Sequence, residues 1–506
     1  MIPSPPNSAK ANRRWILAAT ILASSVAFID GTVVNVALPA SQADLHATAN
    51  SLQWVVESYA LFLAALLLLG GSAGDLYGRR KFFVFGVLDF TAGSICCGFA
   101  PTIGLLIAAR AFQGVGAAFM VPGSLAIISA SFPASESGAA IGTWSGFTAV
   151  TTAIGPVFGV WLVQHVSWRW VFFIDVPLTV VVVWLAQSHI RESRDEQSKR
   201  EIDWPGTILV TSGLGAVTFA LIQASADRTA ARSCGLLSLT LIAAFVLVEL
   251  RSASPMISPK LFRSRDFAGT NVLTLMLYGA LGGVLYFLPL ELIQVQHYSA
   301  TQAGASLLPL VLLIFLLSRW AGGLIARSGA RLPLTLGPII AAVGFLLMLR
   351  CGLPAPYWTS VFPAVLTLGV GLAVTVAPLT TAVMRSLPAP EAGIASGVNN
   401  AVSRIAALLA AAVFGLVLTA GLNRSLDGAV RQMVLSSANR EALARERSKL
   451  AGAEIEDPEL RLALDAAFVV GFHDVLWISA VLAMLCACSA QMLSARCAAS
   501  TPAQTF

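Results

Sequence analysis

The chain has 506 residues, of which 57% are hydrophobic and only 11% charged. Soluble domains carry about 25% charged residues, so this composition argues against a large soluble core. The net charge of +6 needs no nucleic-acid partner, because arginines in the loops account for it. Seven cysteines form no C-x-x-C pair, so neither a zinc site nor a disulfide framework is supported.

Apolar runs of about 20 residues recur from end to end, each long enough to cross ~30 Å of hydrocarbon. The first predicted span, 15–38, follows a short polar segment with Lys10, Arg13 and Arg14. No small-residue cleavage site follows a short apolar core, so the span is expected to be retained. Asp30 sits in its middle, within the stretch FIDGTVVNVALP (Phe28–Pro39). An ionised side chain at bilayer depth costs about 2.5–3.5 kcal/mol on insertion scales, which makes such residues rare and usually functional. Thr32 and Asn35, three apart, form a polar strip beside it.

Span 2, 52–74, carries Glu57 with Gln53, Trp54 and Tyr59 close by. Glu57 is a second proton-coupling candidate or an attraction point for a cation; an outer-edge residue reaching water is the other reading. Trp54 and Asn35 are candidates for a substrate cavity. Span 3, 82–100, holds Asp89 beside Gly86, Gly93 and Cys96, whose spacing suggests close helix packing. Span 4, 102–122, brings Arg110 and Gln113 onto one face, followed by Gly114, Gly116, Ala117 and Ala118. Asp30 lies nine residues before Pro39 and Arg110 nine after Pro101, so both sit about 13–14 Å below the same surface. A carboxylate and a guanidinium at matched depth are natural partners, since each is otherwise a buried unpaired charge. A purely structural ion pair and a titrating pair in a water-accessible cavity are the two readings; small polar neighbours favour the second. Gln113 is a further cavity candidate. Span 5, 139–163, contains Pro156, which bends a helix, with Gly155 and Gly159 allowing close packing beside the bend. Span 6 covers 169–188.

The charged segment His189–Asp203 divides a six-span first part, 1–190, from a region 191–265 holding predicted spans 205–223 and 233–250. A second six-span part, 266–492, follows with spans at 267–290, 303–324, 332–350, 359–384, 394–421 and 466–492. It contains a long polar insertion, 423–465, and ends in a tail, 493–506. The insertion is expected to be a water-facing hairpin or cap, with a docking surface as the alternative. Arg319, Arg404, His473 and Asp474 are further membrane-depth polar groups whose roles are open. GGSAGDLYGRRK (Gly70–Lys81) after span 2 is echoed by GGLIARSGAR (Gly322–Arg331) after span 10, which suggests two related parts with a site between them.

The charge distribution tests the count of fourteen. With the N-terminus inside, eighteen Lys and Arg residues fall on inner segments and four (Arg169, Arg228, Arg232, Arg350) on short outer ones. That is a positive-inside bias with both termini cytoplasmic. No phosphate-cradling G-x-x-x-x-G-K-[ST] loop is present, so an ion gradient is the expected energy source and no cofactor is expected. No nucleophile-and-base arrangement or metal cluster stands out, so the chain is not expected to be an enzyme or to hold a metal.

Several of these stretches resemble the major facilitator superfamily, in particular its fourteen-span drug:proton antiporters of the EmrB/QacA type. The similarity covers about residues 15–492. IDGTVVNVALP (Ile29–Pro39) is similar to the span 1 signature of that branch, and RAFQGVGAA (Arg110–Ala118) to its span 4 motif. GDLYGRRK (Gly74–Lys81) matches the loop between spans 2 and 3, with Leu76 in place of the common basic residue. Span 5 resembles the antiporter motif through Gly142, Gly155, Pro156 and Gly159, but has Thr151 and Val160 where glycines are usual. WRWVFFIDVP (Trp168–Pro177) resembles the entry to span 6, with Asp175 where asparagine is common.

The resemblance implies an all-α polytopic membrane protein with two six-helix halves and two extra central helices. It implies export of hydrophobic or amphipathic compounds from the cytoplasmic (inner) membrane in exchange for protons. Asp30 and Arg110 would form the coupling centre. Gly71, Asp75, Gly78, Arg79 and Arg80 would form the cytoplasmic gate. The kink at Gly155, Pro156 and Gly159 would seal the path against leak. Partners are the substrate, protons and the lipid bilayer; a periplasmic adaptor protein and the oligomeric state stay open. Two alternatives stand beside this reading: an exporter dedicated to one endogenous metabolite, and a non-transporting receptor or scaffold.

Overall fold

The computed structural model describes residues 6–194, 203–223, 228–252, 255, 261–352, 356–388, 391–431, 433, 443 and 457–493. Among them every regular element is helical. The first group comprises α1 (Pro6–Leu45), α2 (Ala49–Tyr77), α3 (Arg79–Gly98), α4 (Ile103–Ser131), α5 (Ala134–His165), a short turn of helix α6 (Trp170–Phe173) and α7 (Asp175–His189). An intervening pair, α8 (Trp204–Gln223) and α9 (Arg228–Arg251), follows. The last group is α10 (Arg265–Leu290), α11 (Ala300–Ser306), α12 (Leu308–Ser328), α13 (Arg331–Met348), α14 (Phe362–Arg385), α15 (Ala392–Val430) and α16 (Pro458–Ser489).

Twelve helical segments among the described residues are long and apolar enough to cross a membrane. Two more long helices, α8 with 20 residues and α15 with 39, occupy the other two predicted positions. The helix ends run beyond the predicted spans. Helix α1 continues to Leu45 and α4 to Ser131, because polar residues at a span's edge still favour helix and hydropathy does not mark where it stops. Local signals do mark several ends. Thr48 and Thr102 cap α2 and α4 through their hydroxyls. Gly78, at φ 124°, makes the α2–α3 turn in a backbone region that favours glycine. Residues 432, 434–442, 444–456 and 494–506 lie outside the described residues, and with them most of the expected insertion and the tail.

In lipid, helix association relies on close van der Waals packing at small residues. In the first group, α2 and α3 both pack on α4, and α1 packs on α5 and α7. A Cβ at Gly93 of α3 would lie 2.8 Å from Cα of Gln113, so the α3 backbone passes directly against α4 at that level. In the last group, α14 packs on α12 and α13, while α10, α15 and α16 pack on one another. The groups meet chiefly along two seams, α5 with α12 and α2 with α15. Helix α9 leans on α8, and α8 leans on α2. Only 11% of the apolar window of α9 is buried, which leaves Leu236, Leu239, Leu247 and Leu250 for lipid.

Candidate functional site

The matched depth of Asp30 and Arg110 becomes a contact. Nη1 of Arg110 donates to Asp30 Oδ2 at 2.6 Å, and both side chains are sealed, at 0% and 1% exposure. The same Nη1 donates to Gln113 Oε1 at 2.6 Å, and Nε donates to the Val55 carbonyl at 3.1 Å. The Tyr59 ring lies under the guanidinium, 4.2 Å from its centre, and the phenol donates to the Ala27 carbonyl. This ring holds the cation on a face that attracts it.

The network continues past the predicted residues. Gln113 Nε2 donates to Asp30 Oδ1 at 3.0 Å and to Ser94 Oγ at 2.7 Å. Ser94 in turn donates to Asp175 Oδ2 at 2.6 Å. Asp175, at the start of α7, is 1% exposed. Asp175 is thus linked through Ser94 and Gln113 to the Asp30–Arg110 pair in one buried network, built from α1, α2, α3, α4 and α7. Gln113, expected on a cavity wall, instead lies fully buried inside this centre, because its i,i+3 spacing from Arg110 turns both side chains toward Asp30. Burial and an opposite charge act in opposite directions on a carboxylate's hold on a proton.

A second cluster joins the two helix groups. Asp75 Oδ1 accepts from Arg79 Nη2 at 2.7 Å and Nε at 2.8 Å. Its Oδ2 accepts from the backbone N–H of Ile394 at 3.1 Å, so a carboxylate of α2 caps the N-terminus of α15. Gly71 lies against Gly393 with no room for a side chain; a Cβ on it would stand 2.7 Å from the Gly393 carbonyl carbon. Glu192, which the sequence reading did not single out, accepts from the backbone N–H groups of Arg80 and Lys81 and so caps α3. Arg80 also donates to the Ile190 carbonyl at 3.2 Å. At the same end Arg385 of α14 donates to the Ala134 carbonyl of α5.

Helix α5 forms one seam with α12 and packs on α1 within its own group. Gly155 and Gly159 face Ile29, Thr32 and Val33 of α1, and Thr32 donates to the Thr152 carbonyl at 3.2 Å. Pro156 is half-buried between them. Gly138 and Gly142 lie against Gly322 and Ser318 of α12. The stretch from Gly155 to Gly159 thus packs on α1 beside Asp30, while the same helix touches the other group.

Glu57 is not part of the charge centre. It lines a cavity of about 500 Å³ between α2, α8 and α15, together with Gln53, Arg404 and mainly apolar side chains. Trp54 packs near Phe219 of α8, with ring centroids 6.2 Å apart. Asn35 is exposed and bonds only back onto its own helix. Of the open polar groups, Arg319 donates to Thr143 of α5 and His473 bonds to the Cys351 carbonyl. Asp474 lies 3.8 Å from Arg424, and Asp89 Oδ2 is buried without a hydrogen-bond partner.

A helical, multi-pass membrane protein with a sealed carboxylate–guanidinium centre, a capped seam between two helix groups and an apolar cavity is a transporter by construction. The chain belongs to the Major Facilitator Superfamily, whose profile matches residues 20–411. It is 34% identical over 434 residues to the multidrug resistance protein Stp of Mycobacterium tuberculosis (strain CDC 1551 / Oshkosh), covering 85% of this chain and 80% of that one. It is 32% identical to the tetracenomycin C resistance and export protein of Streptomyces glaucescens, with 82% and 77% covered. It is 30% identical to the drug efflux pump JefA of Mycobacterium tuberculosis (strain CDC 1551 / Oshkosh), with 93% and 96% covered. Among solved structures, the proton:xylose symporter XylE aligns with a TM-score of 0.59 at 14% identity, over 95% of both chains. The human organic anion transporter MFSD10 aligns at 0.61 and 13%, over 95% of this chain and all of that one. The expected superfamily is therefore the right one, and its relatives here are drug and antibiotic efflux proteins.

Proposed function

We propose that this transporter is a proton-coupled antiporter that exports hydrophobic or amphipathic compounds by alternating access, with α8 and α15 crossing as well to give fourteen spans. The observation that carries the proposal is the Asp30–Arg110 ion pair, sealed from water at membrane depth inside one helix group. A buried pair of this kind is a poor source of stability. Its retention makes sense where one partner exchanges a proton. The efflux relatives support the direction and the breadth of substrate.

The positive-inside bias puts the α2–α3 turn on the cytoplasmic side. The Asp75 cap on α15 and the Gly71–Gly393 contact then close the cytoplasmic gate, so this conformer faces outward. In the cycle, substrate enters from the cytoplasm or inner leaflet while Asp30 is ionised. After the gate closes, a proton taken by Asp30 loosens the pair with Arg110 and substrate leaves. The Gly155–Pro156–Gly159 kink holds α5 against α1 during the swing and limits leak.

The test is proton flux in inverted vesicles with an acid interior, followed with a pH-sensitive dye. Lipophilic cations and neutral drugs added outside should trigger proton release in the native protein and none in Asp30→Asn. Substrate export that persists in Asp30→Asn at native rates sinks the proposal.

A further inference from the structure

Most buried carboxylates of the first group are answered within the protein: Asp30 by Arg110, Asp75 by Arg79 and Asp175 by Ser94, while Asp89 keeps one oxygen without a hydrogen bond. Glu57 and Arg404 are different. Both line the cavity of about 500 Å³, yet neither forms an ion pair or hydrogen bond with any described residue, and they do not reach one another. They come from different helix groups, Glu57 on α2 of the first and Arg404 on α15 of the last. The rest of the wall is mainly apolar, with Leu61, Leu68, Leu214, Val217 and Phe245 among its residues.

We infer that this cavity takes an amphoteric amphiphile: an apolar, ring-sized body with one cationic nitrogen for Glu57 and one anionic oxygen group for Arg404. The inference rests on the proposed reading of the protein as an exporter and deepens it by naming the substrate class. The size is that of a drug-sized site, which spans about 300–1,000 Å³. A ligand with one charge pairs with one of the two groups and leaves the other without a partner. A ligand with both charges ties α2 to α15 across the cavity. These are the helices whose ends meet at the Asp75 cap, so binding favours the conformer in which the two groups are together at that end. The inference also gives the intervening pair a task. Helix α8 supplies Val210, Leu214, Val217 and Thr218 to the cavity, and it closes a side that α2 and α15 leave open.

The test uses three dyes with one xanthene body: a rhodamine with a free carboxylate, its methyl ester, and fluorescein. They are respectively amphoteric, cationic and anionic at neutral pH. Binding to the full-length protein in lipid nanodiscs is read by fluorescence anisotropy, with no proton gradient present. The native protein is expected to bind the free-carboxylate rhodamine about tenfold or more tightly than either other dye, the scale of one charge-assisted hydrogen bond. Arg404→Gln should remove that preference over the ester and leave the ester unchanged. Glu57→Gln should weaken both rhodamines and spare fluorescein. Equal binding of the rhodamine and its ester by the native protein overturns the inference, and this comparison needs no variant to fold. Should Arg404→Gln not give a monodisperse protein, Arg404→Lys is expected to keep the preference, and losing it there counts against the inference. Charge-blind binding alongside intact proton-driven export sinks the substrate class alone. A preserved charge preference with no proton-driven export sinks the antiport reading alone.

Discussion

Replacing Asp75 with asparagine tests whether the cap on α15 holds the two helix groups together. In the native protein the Asp75 carboxylate accepts two bonds from Arg79 and one, across the seam, from the Ile394 N–H. Asparagine keeps the shape and one neutral acceptor, but it loses the charge that both the helix N-terminus and Arg79 favour. A hydrogen bond to a charged group contributes about 1.5–3 kcal/mol, and a partly buried helix terminus up to ~2 kcal/mol. These overlap, so about 2 kcal/mol of preference for the closed seam is expected to vanish. At about 1.4 kcal/mol per tenfold, the closed-to-open ratio falls roughly 30-fold. The assay is pulsed electron spin distance measurement between labels at Tyr77 on α2 and Arg327 on α12, both exposed and on opposite sides of the seam. The seven native cysteines are first replaced. The native protein should give mainly a short distance, and Asp75→Asn a grown long component. An unchanged distribution refutes the reasoning, because the carboxylate would then not bias the seam at all.

The charge centre makes its own predictions. Two buried carboxylates and one guanidinium are expected to hold one proton while sealed, so the purified protein should show the infrared carbonyl stretch of a buried carboxylic acid at neutral pH. That band should be lost or displaced in Asp175→Asn or Asp30→Asn, and a band indifferent to both places the proton elsewhere. Gly155→Val drives a branched side chain into Ile29 and Thr32 of α1; overpacking of this kind costs about 1–3 kcal/mol. A lowered melting temperature and a raised passive proton leak are the expected readouts, and native leak would argue against the sealing role of the kink. Glu192→Ala removes the cap on α3 and should cost about 1 kcal/mol in thermal stability without changing dye binding.

The legible part of the site was the part written in charges at depth. Asp30 and Arg110 stand out because an apolar run offers nothing else to pair them, and Gln113 follows Arg110 on the same helical face. Ser94 carried no signal, since a serine inside a helix usually bonds back to its own backbone. Asp175 did carry one. It lies six residues past Arg169, about 9 Å into its span by the arithmetic used for Asp30. The Asp75 cluster was half legible. The loop motif marked Asp75, but its partner is a backbone N–H 319 residues away, which no side-chain pattern announces. Helix existence followed hydropathy closely, whereas helix ends did not, because caps and turns rather than apolarity decide them. Arg404 was visible as a membrane-depth charge, yet its meaning depends on a cavity that only packing creates.

All members of the charge centre belong to α1, α2, α3, α4 and α7, while α15 contributes only to the cavity and the cap. On the proposed reading, the proton-coupling centre is confined to one helix group, whereas the proposed substrate cavity is walled by both groups. A chimera that keeps residues 6–194 and exchanges the last helix group for a relative's should keep its drive and change its cargo. Variation in substrate can accumulate on one side of the seam without rebuilding the side that does the work.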